Sequence, residues 1–334
     1  MKKQVLIAAV AATMTSVAMA DISITGNAKF EYTNTDNGSS SINKANTEAN
    51  LSIKGKSGDT TAVVNVELNS DSNSTVSTAD AVNVEDMYVT TKLGDVNVKA
   101  GNFASGTTAL LGEIDNGGRA HNKVSLSTKV GPATIGYHVS SEAGSSSSAG
   151  AGATQQNSDT AAVTISMPVA GFKVQVKEQT DSYTGFGISG DVAGFGVRLE
   201  QKNSDSANSD VTFGQITKDV NGMKLGYAWI DADAANKVDE DDSSIFAREM
   251  GAGSDETYTT GVNQFSVQTT AAGNTITLKA GTVEEASTDN DFTQIDVKRA
   301  LASGATLAVT YTDYELVNAA TSTETFEVDL SVKF

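Results

Sequence analysis

The chain has 334 residues, with 23 Lys and Arg against 41 Asp and Glu, and a formal net charge of −18. This balance excludes a general grip on nucleic-acid phosphates, which requires clustered positive charge. Because cysteine is absent, disulfide frameworks, thiolate nucleophiles and cysteine-based metal sites are excluded as well. The apolar share of 39% is below the usual ~45–50%. Either disorder or a barrel with a wet interior would account for the deficit.

Residues 1–20 have the parts of an export signal. Lys2 and Lys3 supply the positive start, residues 5–17 are apolar, and 18–20 read Ala-Met-Ala, the small-residue pattern of a cleavage site. We therefore predict a signal peptide over 1–20 and a mature chain over 21–334. Without the charges of Lys2 and Lys3, the net charge falls from −18 to −20. The alternative is a short amphipathic helix at the start of the mature protein.

From residue 21 onward, apolar and polar side chains alternate with a period of two, which is typical of β-strands. Between residues 21 and 32, one face carries Ile22, Ile24, Gly26, Ala28, Phe30 and Tyr32. The same alternation recurs along the chain as hairpins, whose short turns contain Gly or Asn because tight turns need positive φ. In this pattern, Val211 and Phe213 belong to the apolar face. Phe292 belongs to a set of aromatic residues near strand ends, which matches the aromatic girdles of membrane barrels.

Longer polar segments alternate with these short turns. They are residues 33–43, 70–79, 101–122, 141–158, 178–183, 201–210, 231–256, 282–290 and 313–323. Such an order predicts an all-β fold, a transmembrane antiparallel up-and-down β-barrel of 16–18 strands, of which we count 18. The short turns are predicted at the periplasmic rim and the long loops on the extracellular side. A β-sandwich is the alternative, but the small polar residues of the second face favour a water-filled lumen.

Three segments carry a family resemblance: EANLSIKGKSGDTTAVVNVEL at 48–68, VTTKLGDVNVKAGNF at 89–103, and the terminal TFEVDLSVKF, which ends on Phe334. They resemble the general, non-specific porins of Gram-negative outer membranes. The resemblance implies a homotrimer in the cell outer membrane, in contact with lipid and lipopolysaccharide. It also implies that the barrel assembly machinery reads Phe334 and that residues 101–122 fold inward as a constriction loop. General porins usually have 16 strands, so a count of 18 departs from them.

The resemblance also suggests which residues line the constriction. Acidic loop residues would face basic groups of the wall, and the candidates are Glu113, Asp115, Arg119, Lys123, Lys29, Lys54 and Lys92. Among them Lys123 is favoured, because it begins the strand just after the loop. The wall predicted to face the loop carries few basic residues, and the chain as a whole is strongly acidic. We therefore expect a passive diffusion channel for small hydrophilic solutes and ions that is weakly cation-selective.

Two other functions stay open: a substrate-specific outer-membrane channel, and a secreted or surface-adhesive β-protein. We expect no enzyme and no cofactor. Residues 185–190 fit GxGxxG, but they lie within a strand pattern rather than between a strand and a helix. The acidic segment 231–256 lacks the spacing of an EF-hand, so we interpret it as a solvated loop, with weak divalent-cation binding as the alternative.

Overall fold

The structure is a computed structural model that describes residues 21–71, 82–104, 111, 119–143, 157–205, 210–239, 246–247, 256–285, 288–315 and 322–334. The predicted signal peptide, at 1–20, lies outside these residues. Among the described residues, no helix has the length and apolar character needed to cross a membrane.

Eighteen β-strands make up the described fold, as counted from the sequence. In chain order they are β1 (Asp21–Asp36), β2 (Ser41–Ser57), β3 (Thr60–Asp71), β4 (Val82–Leu93), β5 (Val96–Ala104), β6 (Arg119–Val130), β7 (Ala133–Ala143), β8 (Asn157–Val169), β9 (Phe172–Gln179), β10 (Tyr183–Val192), β11 (Phe195–Ser204), β12 (Val211–Val220), β13 (Met223–Asp239), β14 (Glu256–Ala271), β15 (Asn274–Glu285), β16 (Thr288–Ala300), β17 (Ala305–Glu315) and β18 (Thr323–Lys333).

Each strand pairs antiparallel with its neighbours in the sequence, and β1 also pairs with β18, which closes the sheet into a barrel. The closing register joins Phe30 to Leu330 and Tyr32 to Val328. A closed sheet has no free edge, so the inter-strand hydrogen bonds of the backbone are satisfied all the way round. The predicted up-and-down β-barrel is confirmed.

Short turns join the strands at one rim. Four of these turns place Ala170, Ala193, Asn221 and Ala272 at φ of 50–52°, each followed by a glycine of positive φ. Two consecutive left-handed residues make a turn whose twist matches that of the flanking strands. Connections at the other rim are longer on average, but several are shorter than the sequence predicted. Residues 33–43 are mostly strand, with only 37–40 left as a connection, and strand also takes up 178–179, 183, 282–285 and 288–290.

The outer face of the barrel is apolar. Side chains with at least a third of their surface exposed include Ile24, Leu93, Met87, Phe265 and Leu278. Alternating positions point to the inner face, where Thr33, Gln175, Gln264, Gln294 and Thr312 are buried. Exposed apolar side chains outside and polar ones inside reverse the arrangement of a water-soluble domain, and this is the pattern of a barrel that crosses a lipid bilayer.

Three residues lie inside the barrel instead of at the positions predicted for them. Val211 and Phe213 were predicted on the apolar outer face, and Phe292 was predicted in an aromatic girdle at the lipid surface. Val211, Phe213 and Phe292 are 3%, 0% and 2% exposed. Register settles their direction, because Phe213 pairs with Ile230 and Phe292 with Tyr314, and both partners are buried on the inner face. The prediction was wrong at these positions because parts of the inner wall are themselves apolar and covered.

Candidate channel lumen

A group of cations lies on the inner face of β5–β11. These residues, which we call the basic arc, are Lys99 (β5), Lys123 (β6), Lys177 (β9), Arg198 and Lys202 (β11). Their register partners are inward positions: Lys99 pairs with Thr90, and Gly185 pairs with both Lys177 and Lys202. Because side chains alternate along a strand, these five lie on the inner face, whereas their sequence neighbours Val98, Val176 and Leu199 lie on the outer face.

Aromatic rings hold the cations of the basic arc. The Lys99 ammonium lies 3.9 Å from the ring centre of Tyr88 and 4.0 Å from that of Phe103. The Lys123 ammonium lies 5.1 Å from the same Phe103 ring, and it is nearly buried. A cation over a ring face is attracted by the negative face of the aromatic quadrupole. Phe103 therefore positions two cations on the inner wall of β5 and β6.

The ring of Tyr183, on β10, holds two further cations in the same way. The ammonium groups of Lys177 and Lys202 both lie 5.0 Å from its centre. Next to them, the Arg198 Nε donates a hydrogen bond to a carboxylate oxygen of Glu200 at 2.5 Å. Glu200 is fully buried, and a buried charge needs a partner, which this arginine provides.

Carboxylates dominate the inner face on the other side of the barrel. These residues, which we call the acidic arc, are Glu327 and Asp329 (β18), Glu31 (β1), Glu48 (β2), Glu67 (β3) and Asp86 (β4). One carboxylate oxygen from each of Glu31, Glu327 and Asp329 lies within 4.8 Å of the other two. The ammonium of Lys29 lies 2.6 Å from Glu31 and 3.8 Å from Asp329, so it neutralises some of the negative charge of this group.

Two cavities on the inner wall show the same division of charge. One, of about 600 Å³, is lined by Glu48, Glu67 and Glu85, together with amide side chains. In the other, of about 470 Å³, cations outnumber carboxylates, since its charged lining residues are Lys56, Lys92, Lys99 and Asp59. The lumen thus has an acidic sector on β18–β4 and a basic sector on β5–β11. Fixed charges of opposite sign on two sides of a water-filled passage create a field across it.

The structure places the predicted site residues unevenly. Lys29 lies in the acidic arc and Lys123 in the basic arc, whereas Lys54 and Lys92 are exposed, nearer the short turns. Glu113 and Asp115 lie outside the described residues. Arg119 begins β6, and its side chain is likewise outside the described region.

Sequence reasoning missed four cations of the basic arc: Lys99, Lys177, Arg198 and Lys202. A signal was present, because Lys177 follows Val174 and Val176 on alternate positions and must point to the opposite face. The wall is more basic than the sequence indicated.

Between β5 and β6, one residue of the predicted constriction loop is described. Leu111 is fully buried, and its Cδ1 lies 3.1 Å from where a Cβ on Gly185 would be. Gly185 is an inward position of β10, whereas the strands that flank the loop are β5 and β6. Within β5, Gly101 stands at a register shift against β6, and its φ of 139° is accessible to glycine. A Cβ there would collide with the backbone of Met87 and Tyr88.

No protein-family profile matches the chain, and no curated protein sequence matches it either. Solved structures do match in fold. OccK11 (OpdR) of Pseudomonas aeruginosa has a TM-score of 0.66 at 12% identity, covering 94% of this chain and 96% of that one. A BenF-like porin from Pseudomonas fluorescens Pf-5 has a TM-score of 0.64 at 11% identity, covering 94% and 98%. The outer membrane protein opdK of Pseudomonas aeruginosa has a TM-score of 0.65 at 10% identity, covering 94% and 98%.

At such identities the likeness concerns the fold. The chain has the closed 18-stranded antiparallel barrel of outer-membrane porin structures. This strand number agrees with the count made from the sequence and departs from the usual 16 of the general porins that the sequence resembles.

Proposed function

We propose that this protein is an outer-membrane porin, a passive channel for small hydrophilic solutes and ions, and that it catalyses no reaction. The observation that carries the proposal is a closed barrel with an apolar outer face and a charged inner wall. An apolar outside requires lipid, and a charged inside requires water. The fold neighbours, which are porins, support the same function.

Location and assembly belong to the same proposal. An export signal over residues 1–20 would take the chain across the inner membrane. The assembly machinery would read the last strand with Phe334, and the barrel would form a homotrimer in contact with lipid and lipopolysaccharide. Fractionation of cells, followed by electrophoresis with and without heating, tests these points together. Recovery of the folded chain in the periplasm or the medium would favour a secreted β-protein instead.

The constriction loop is proposed as well. Residues 101–122 fold inward, with Glu113, Asp115 and Arg119 near the passage. Support comes from Leu111, since its contact with Gly185 brings this segment to the wall of β10. A loop crossing the lumen at this level narrows the passage and places its charged groups next to both arcs.

We expect weak cation selectivity. In the basic arc, Lys123 and Lys177 are buried, and their charges are shared with the rings of Phe103 and Tyr183. In the acidic arc, Glu48 and Glu67 line an open cavity of about 600 Å³, where a passing cation can reach them. Carboxylates on a pore wall favour cations. The two sectors oppose each other, so the preference is small.

Reversal potentials in a salt gradient test this selectivity. Wild-type channels should prefer K⁺ over Cl⁻, and Glu67→Gln should reduce the preference. Glu178→Gln is the matched control: Glu178 is an exposed outward residue of β9, so its loss should leave the potential unchanged. Preference for Cl⁻ in the wild type would overturn cation selectivity but not the channel itself.

A substrate-specific channel is the second candidate. The observation in its favour is the basic arc, where cations stand on aromatic rings in a form suited to carboxylate solutes. One fold neighbour, OccK2 (OpdF) of Pseudomonas aeruginosa, was solved in complex with glucuronate. Saturable block of the ion current by glucuronate would favour a specific channel, and a current that falls only in proportion to solution viscosity would favour simple diffusion.

A further inference from the structure

The cavity of about 470 Å³ lies on the inner wall of β2–β6, close to the short turns. Register joins five of its lining residues into one row across these strands. In order, they are Lys56, Thr61, Thr90, Lys99 and Ser125. Residues paired across an antiparallel sheet share a face, and Lys99 faces the lumen, so the whole row does. The cavity is therefore open to a solute in the channel and not to lipid.

A second row, one step closer to the turns, adds further hydrogen-bond donors. Lys92 pairs with Asn97, and Asn97 pairs with Ser127. The side chains of the two rows carry ammonium, hydroxyl and amide groups, all of which can donate to an anionic oxygen. Donors from five adjacent strands thus line one cavity.

The cavity carries an excess of positive charge. Lys56 and Lys92 are exposed, and neither ammonium forms an ion pair with a carboxylate of the part of the chain that the structure describes. The Lys99 ammonium stands over two aromatic rings and adds a third positive charge. Asp59, exposed in the turn between β2 and β3, supplies the negative charge of the lining. An anion that enters the cavity therefore meets two ammonium groups, those of Lys56 and Lys92, that are not engaged elsewhere.

The donor set favours a phosphate group over a carboxylate. A planar carboxylate is recognised best by the two-pronged guanidinium of arginine, and no described arginine lines the cavity. An ammonium is a compact charge on a flexible stem, and hydroxyl groups rotate to suit their acceptor, so both can reach the oxygens of a tetrahedral anion. Lys56 and Lys92 lie two strands apart, about 10 Å across the sheet. Their stems can therefore bring both charges to one anion between them.

We propose that this cavity is a binding site for phosphate-bearing solutes, phosphate monoesters above all, at the short-turn mouth of the channel. This inference rests on the proposed channel function and adds a solute class to it. Lys56 and Lys92 bind the phosphate oxygens, and the hydroxyl groups of Thr61 and Ser125 donate further hydrogen bonds. A doubly charged phosphate gains more from two ammonium groups than a singly charged carboxylate does.

Block of the single-channel current tests the site. Glucose 6-phosphate should reduce the current saturably, whereas glucose, which lacks the phosphate, should not. Replacing both lysines, Lys56→Gln with Lys92→Gln, should raise the half-blocking concentration about tenfold, because two exposed ion pairs with the phosphate are lost. Equal block of the wild type by glucuronate and by glucose 6-phosphate would overturn the preference for phosphate.

Lys298→Gln is the matched control for the lysine variants. Lys298 is an exposed inward lysine of β16, since its partner Ala308 pairs in turn with the inward Asp329, and it lies outside the cavity. Its exchange should leave the half-blocking concentration unchanged. An effect as large as that of the double variant would mean that any positive charge at this mouth attracts the phosphate, and would overturn the site.

Asp59 offers a variant with the opposite sign. Asp59→Asn removes the carboxylate that repels phosphate in the cavity, so the half-blocking concentration should fall about two- to threefold. A higher value in the folded variant would contradict the proposal.

Binding of inorganic phosphate to the folded barrel in detergent tests the site without any ion current. The phosphorus NMR line of phosphate should broaden with the wild type and stay narrow with the double lysine variant, provided that both migrate as heat-modifiable barrels. Broadening by a protein that passes no ion current would keep the site and refute the channel. An ion current without broadening would refute the site and keep the channel.

Discussion

The amide of Gly26 donates a hydrogen bond to the carbonyl oxygen of Phe334 at 2.8 Å, and the amide of Phe334 donates one back to the carbonyl oxygen of Gly26 at 2.9 Å. The Phe334 ring lies over Gly26, with Cζ 2.9 Å from where a Cβ would be. This reciprocal pair ends the seam between β1 and β18. Because Gly26 has no side chain, the Phe334 ring can pack against it.

Replacing Gly26 by Val should weaken the closure of the barrel. A branched side chain at this position would displace the Phe334 ring and press on the backbone of Asn50. Overpacking of this kind costs about 1–3 kcal/mol. The temperature at which the folded band disappears in heat-modifiability gels should fall. Ala28→Val, two positions along on the same face of β1, is the control and should leave that temperature unchanged; an equal fall in both variants would contradict the explanation.

Removing the ammonium of Lys29 should destabilise the barrel from inside. Lys29→Met leaves Glu31, Glu327 and Asp329 close together without this ammonium, at a cost of about 1–3 kcal/mol, because Glu327 and Asp329 are buried while Lys29 and Glu31 are partly exposed. Urea unfolding in detergent measures the loss of stability. Lys54→Met, at an exposed lysine, should leave the stability unchanged.

The cations of the basic arc should act on ion selectivity. Lys99→Gln removes a charge that stands between the rings of Tyr88 and Phe103, so the wall becomes more negative and cation preference should increase. Reversal potentials in a salt gradient measure the change. Lys218→Gln provides the comparison, because Lys218 also lies over an aromatic ring, that of Phe195, but on the outer face. If both variants shift the potential alike, the effect does not arise in the lumen.

The single tryptophan reports which face meets lipid. Trp229 stacks on Tyr227 with ring centres 5.6 Å apart, on the outer face of β13, and it covers Gly214 of β12. In bilayers, lipids with brominated acyl chains should quench its fluorescence strongly, and iodide in the aqueous phase should quench it little. The opposite result would place Trp229 in the lumen and invert the two faces. Gly214→Ala should shift the emission, because the added methyl displaces the indole ring.

Alternation was enough to predict the strand number and the closed barrel, because lipid and water impose opposite demands on the two faces of each strand. It failed at β12, where the apolar residues change face between Phe213 and Ile216. That change of parity is visible in the sequence, but the buried cluster in which Phe213 packs against Phe246 is not, because it joins residues far apart in the chain. Strand ends were also misplaced, since polar residues such as Asn34 and Asn43 continue the ladder of β1 and β2.

The charged site was only partly predictable. Lys123 was named from the sequence because it follows the loop, and it lies on the inner wall, but its role in the constriction stays a prediction. Lys177 and Lys202 were not named, because no sequence signal brings two different strands to one Tyr183 ring. Register decides such meetings, and register depends on the turn lengths and hydrogen bonds of all the intervening strands.

Three of the short turns hold an alanine in the left-handed region, at Ala170, Ala193 and Ala272, where the fourth has Asn221. This conformation destabilises an L-residue with a Cβ by roughly 1 kcal/mol, and it destabilises asparagine less. Substitutions at these three turns can therefore stabilise the barrel at its short-turn rim. Exchanging these alanines for asparagine touches neither lipid nor lumen, so it offers a route to a hardier scaffold for nanopore sensing whose permeation properties stay those of the parent chain.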